Sequence, residues 1–81
     1  MILMIPYYSL CLLKAPNKHR YKIYAEKHPE SNYYPKWLVN EMKQIYTNIR
    51  SAAWNLENVQ QRLTSEGIKS VIYYECLQVE F

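Results

Sequence analysis

Between Pro35 and Gly67 the chain reads PKWLVNEMKQIYTNIRSAAWNLENVQQRLTSEG, and this stretch decides the fold expected of the whole. Leu38, Met42, Ile45, Ile49, Ala52, Leu56, Val59 and Leu63 recur at alternating spacings of four and three, which predicts one long helix with a narrow apolar stripe. Pro35 suits the first helical position, with Tyr34 as a poor cap and Tyr33 placed to staple against Leu38. Gly67 suits the left-handed residue that closes a helix, with Ile68 packing back on Leu63.

Working outward, Tyr7 to Lys14 is apolar and β-friendly, and His19 to Lys27 alternates polar with apolar residues, so two strands precede the helix. Ala15-Pro16-Asn17-Lys18 has the chemistry of a four-residue hairpin loop. Pairing Lys14 with His19 then sets Leu12 across from Tyr21, Leu10 from Ile23 and Tyr8 from Ala25 on the core face. After the helix, Ser70 to Phe81 reads as a third strand. Val71, Tyr73, Leu77, Val79 and Phe81 form its expected core face, and Glu75 is the one misfit. A single helix between the second and third strands makes those two parallel. With the uncharged first strand in the centre, the expected fold is α+β: ββαβ, a three-stranded antiparallel sheet of order 2-1-3 with one long amphipathic helix on one face. The 81 residues make a single small domain, 1–81.

A helix of ~32 residues spans ~48 Å, while an eight-residue strand covers only ~27 Å. The uncovered turns predict self-association, a homodimer built through Ile49, Ala52, Leu56, Val59 and Leu63 at coiled-coil spacing.

Composition excludes more than it assigns. The chain has no Asp and one Gly, so it offers neither paired aspartates nor a Gly-rich phosphate loop, and no enzyme activity is expected. Cys11, Cys76, His19 and His28 are the only soft ligands, and His19 and His28 lie nine residues apart, roughly 30 Å when extended, so neither metal nor cofactor is expected. Two cysteines are too few for a disulfide scaffold, which predicts reduced thiols and a cytoplasmic setting. Met1 to Leu13 is far short of the ~20 residues of a membrane span and reads as strand.

The net charge of +3 is uneven: six Lys or Arg lie between Lys14 and Lys36 against Glu26 and Glu30, so this part is +4 and the rest −1. That asymmetry suits an acidic protein or a nucleic acid. Trp54 falls opposite the apolar stripe beside Arg50, where a large aromatic has no structural task, as in protein-binding hot spots. Trp37 is expected to pack against Tyr33 and Tyr34. The second sheet face is expected to carry Tyr7, Tyr24 and Tyr74, with Arg20 and Lys22 at one end.

These features predict a non-catalytic protein-binding module. Phe, Tyr, Met, Ile, Asn and Lys total 33 residues and Gly, Ala, Arg and Pro total 12, an AT-rich codon tilt that suits a phage- or virus-encoded inhibitor of a host enzyme or defence complex, an anti-CRISPR-like role included. The alternative is a small single-stranded nucleic-acid-binding protein that stacks bases on the sheet tyrosines above a basic hairpin.

Overall fold

The computed structural model describes residues 7–16, 19–29 and 33–74. In chain order the elements are β1 (Tyr7–Lys14), β2 (Tyr21–His28), α1 (Lys36–Met42), α2 (Ile49–Ser65) and β3 (Lys69–Tyr73). The sheet order is β2-β1-β3, and both helices pack on one face of it, as an α+β fold.

The long helix is two. Residues 43–48 leave helical geometry although they contain neither Gly nor Pro. Ile45, Tyr46, Thr47, Asn48 and Ile49 form a run of weak helix formers, which lose side-chain freedom in a helix or compete for its backbone. Asn48 then restarts the helix as its cap, its side chain accepting from the Arg50 and Ser51 N–H groups at 2.7 and 3.4 Å. Between the helices, Tyr46 exchanges backbone hydrogen bonds with Tyr21 on the edge of β2, both 2.8 Å. The edge strand's outward amide and carbonyl are thereby satisfied.

This reversal changes the topology. The chain runs down β2, up α1, down α2 and up β3, so β3 is parallel to β1 while β1 and β2 are antiparallel. The sheet is mixed, not wholly antiparallel. The reversal also removes the length mismatch, because the 17 residues of α2 span ~26 Å against ~27 Å for the eight-residue strands.

β1 has the expected bounds, and its even-numbered residues Tyr8, Leu10 and Leu12 join Ile23 and Ala25 on the core face. The pairing differs from expectation by two residues: Lys14 faces Tyr21, Leu12 faces Ile23, Leu10 faces Ala25 and Tyr8 faces Lys27. The connection is longer than a four-residue turn, since the Ala15 amide closes it by donating to the Arg20 carbonyl at 2.9 Å and His19 is left-handed at φ 48°. A slip of two leaves every side chain on its face, so the same core forms.

Ala52, Leu56, Val59 and Leu63 close that core from α2, and Leu38 closes it from α1. Each buried Leu contributes ~1.5–3 kcal/mol of apolar transfer. These side chains pack into the chain's own core. Ile45 and Ile49 are outside it, Ile49 being 56% exposed. The end of α2 is as expected: Gly67 has φ 78°, its amide donates to the Thr64 carbonyl, the Ile68 amide donates to the Leu63 carbonyl, and Ile68 packs against the core. Pro35 caps α1 instead of occupying its first turn, so Tyr34 is not the cap. Tyr34 serves the core, donating its hydroxyl to the Ala25 carbonyl at 3.1 Å, and Tyr33 is exposed instead of stapling Leu38.

In β3 the expected faces are exchanged. Ile72 packs against the core, and Val71 and Tyr73 are exposed on the other side. The remainder of the expected third strand, residues 75–81 with Leu77, Val79 and Phe81, lies outside the described residues.

Candidate interaction surface

Because β1 is central and both helices lie on one side, the odd residues of β1 look out from the opposite face. Register places them in rows: His28, Tyr7 and Lys69; Glu26, Ser9 and Val71; Tyr24, Cys11 and Tyr73; then Lys22 and Leu13. Tyr24 is 42% and Tyr73 53% exposed, and Tyr7 and Val71 are similarly open. Tyr7 stacks on the His28 ring at 4.9 Å, and His28 Nε2 lies 3.1 Å from Ser9 Oγ. Burial first, and the charges of Glu26 and Tyr34 next, push the Tyr24 phenol above its usual range, so it is a neutral hydrogen-bonding group.

Tyr74 is not on this face. It follows β3 on the helix side, where its hydroxyl lies 3.5 Å from Glu57 Oε1. Tyr73 takes the expected place. The available signal was the charge of Lys69 and Glu75, which share the parity of Val71 and Tyr73 and should avoid a core face. Lys22 is half-buried on the open face, and Arg20 is exposed in the connection before β2.

Cys11, in the middle of the face, is disulfide-bonded, contrary to the expectation of reduced thiols. The chain's one other cysteine, Cys76, lies outside the described residues.

A second surface is the outer side of α2. The helix turns ~100° per residue, which puts Trp54 almost diametrically opposite Ala52, Leu56, Val59 and Leu63. Trp54 is 66% exposed, with Arg50 exposed one turn before it and Asn58 and Gln61 exposed after it.

Between the helices is a cleft of about 200 Å³ lined by Trp37, Glu41, Asn55, Asn58, Val59 and Arg62. The Trp37 indole N–H donates to both Glu66 carboxylate oxygens at 3.1 Å, and the Arg62 guanidinium covers the ring at 4.3 Å. Trp37 therefore braces α1 against the end of α2. Sequence reading had no means to find this pairing, because 29 residues separate Trp37 from Glu66.

Among the described residues no three His, Cys, Asp or Glu converge as metal ligands, and no helix is long and apolar enough to cross a membrane. Ser9 and His28 lie within hydrogen-bond reach of each other, on a part of β1 whose amides are engaged in the sheet ladders. Compared with protein-family models, curated proteins and solved structures, the chain matches none.

Proposed function

We propose that the chain is a non-catalytic protein-binding module. The observation that carries this reading is Trp54, two-thirds exposed on the side of α2 that faces away from the core. A Trp side chain offers ~150–250 Å² of surface for burial and is the residue type most enriched in hot spots, so its place on a polar helix face suits a partner and does nothing for the fold. Arg50 beside it supplies a planar cation. The tyrosines and Val71 of the open sheet face are a second anchor, and Arg20 and Lys22 bias association toward an acidic surface. Self-association enters the proposal only through residues left outside the core, Ile45 and Ile49.

Composition alone supports the more specific role of a phage- or virus-encoded inhibitor of a host enzyme or defence complex. A cytoplasmic site is part of that role and carries a consequence: in a reducing compartment Cys11 would be a thiol. Non-reducing mass analysis of protein taken from cells under thiol-blocking conditions decides this, and an intact disulfide there argues for an oxidising compartment.

The experiment for the binding reading is affinity capture from host lysate with the wild type and with Trp54→Ala, each with and without nuclease, followed by calorimetry on the captured protein. The expected result is a partner that survives nuclease and binds Trp54→Ala weaker by at least ~2 kcal/mol. Capture that is lost with nuclease, and indifferent to Trp54→Ala, supports single-strand binding through Tyr7, Tyr24 and Tyr73 instead. In that case Arg20→Ala with Lys22→Ala flattens the salt dependence by ~0.7 per lost phosphate contact.

A further inference from the structure

β3 borders the sheet on the side away from β2, and among the described residues no strand pairs with its outer edge. We propose that a second copy of the chain adds at this edge, β3 against β3 in antiparallel register about a two-fold axis at Val71, so that two sheets become one.

Hydrogen bonds to α2 show which groups of β3 point outward. Gln60 Nε2 donates to the Ser70 carbonyl at 3.2 Å, and the Ile68 amide turns back to the Leu63 carbonyl at 2.9 Å. Gln60 shares its flank of α2 with Thr64, which lines an open groove of about 440 Å³ together with Gly67, Ile68, Lys69, Ser70 and Val71. The N–H and C=O of one strand residue point to the same side and alternate along the strand. Lys69, Val71 and Tyr73 therefore bond to β1, while Ser70 and Ile72 face the groove side. Gln60 occupies one lone pair of the Ser70 carbonyl and leaves the other for an incoming amide.

The five residues of β3, Lys69-Ser70-Val71-Ile72-Tyr73, are complementary to themselves in one register. An axis at Val71 sets Val71 opposite Val71, Lys69 opposite Tyr73 and Ser70 opposite Ile72. Ser70 and Ile72 then exchange backbone hydrogen bonds across the axis. The other pairs fall at the closer positions, with Cα atoms ~4.5 Å apart, where side chains meet. Val71 and Tyr73 are exposed and available for this contact. No like charges face each other, and the Lys69 ammonium reaches the Tyr73 ring of the second copy. An axis at any other residue leaves part of β3 unpaired, and one at Lys69 sets lysine against lysine.

The second copy adds residues to the candidate surface. The row of Tyr24, Cys11 and Tyr73 continues into Lys69 of the second copy, and the row of Glu26, Ser9 and Val71 continues into its Val71. Two open faces then lie side by side on one sheet. Ile45, Ile49 and Trp54 take no part in this contact. Five residues a side is small for a specific interface, so the dimer is weak and depends on concentration.

The test needs no foreign partner, so its failure is distinct from failure of the binding reading. Sedimentation equilibrium of the wild type between ~10 µM and ~1 mM should show a mass rising from one chain toward two, as a small interface implies. Val71→Lys sets like charges across the axis and should weaken the dimer several-fold, while its thermal melt at the lowest concentration stays close to that of the wild type. Isotope-filtered NMR on an equal mixture of labelled and unlabelled wild type reads the register, and needs no variant to fold. It should join the Lys69 side chain of one copy to the Tyr73 ring of the other. Within one copy these residues are ~13 Å apart along the strand, so the contact cannot arise inside a chain. A single-chain mass throughout would overturn the proposal and leave the edge to a strand of a different protein. Association of folded Val71→Lys as strong as that of the wild type, or contacts between copies confined to Ile45, Ile49 or Trp54, would overturn it equally.

Discussion

Tyr46 and Tyr21 exchange two backbone hydrogen bonds of 2.8 Å, and through this pair the segment between the helices is fastened to the edge of the sheet. The fastening sits where the chain reverses direction. The direction of β3, parallel to β1, follows from that reversal.

The reversal depends on Asn48, whose side chain satisfies two amides of the first turn of α2. Asn48→Ala should cost about 1 kcal/mol, within the ~0.5–2 kcal/mol range of lost helix caps, whereas Asn48→Asp should retain most of the stability. Urea denaturation checks both. If Asn48→Ala matches the wild type, the cap does not hold the second helix.

Leu56 and Ile49 lie on the same predicted stripe but in opposite environments, since Leu56 is fully buried and Ile49 is 56% exposed. Leu56→Ala should therefore lose about 2–5 kcal/mol. Ile49→Asp should change stability by no more than ~0.5 kcal/mol, as ordinary surface changes do. Similar losses at both positions would restore the single continuous helix.

Gly67 combines φ 78° with open space where a Cβ would stand, nothing lying within 4 Å of that point. Gly67→Ala should consequently cost about 1–2 kcal/mol through backbone strain alone, and Gly67→Asn, better suited to left-handed geometry, should cost less. Thermal melts of the two variants give the order. An unperturbed Gly67→Ala melt would show that the Leu63 and Thr64 carbonyls do not need this ending.

Alkaline stability should be governed by Tyr8, Tyr24 and Tyr46, whose phenols are all raised above the usual phenol value. Burial is the first cause in each; nearby Tyr34, Tyr33 and Glu66 add to it at Tyr8, and the charge of Glu41 and its hydrogen bond add to it at Tyr46. The unfolded phenols ionise first, so the unfolded state then holds fewer protons than the folded one. Stability is thus fully present below the unfolded value and is lost as pH rises through the folded values. Urea midpoints followed from pH ~8 to ~11 should fall only in the upper part of that range, and Tyr46→Phe should make the fall shallower.

By itself the sequence determined what depends on neighbours along the chain. The bounds of β1, the parity of both hairpin strands, the left-handed Gly67 and the outward position of Trp54 all follow from periods of two or 3.6 and from local capping chemistry. The weak helix run from Ile45 to Ile49 was legible too, but the regular stripe through it hid the break. What only the tertiary structure decided are relations between distant residues. A two-residue slip leaves every side chain on its face, so the pattern of β1 and β2 cannot distinguish Lys14 against His19 from Lys14 against Tyr21. Both parities of β3 are apolar, Val71 and Tyr73 against Ile72 and Tyr74, and its direction was set by the Tyr46–Tyr21 pairing upstream. Register against Cys11 is why Tyr73 and not Tyr74 joins the candidate surface, and a helix shortened to the length of the sheet is why Ala52, Leu56, Val59 and Leu63 lie in the core of the chain while Ile49 stays outside it.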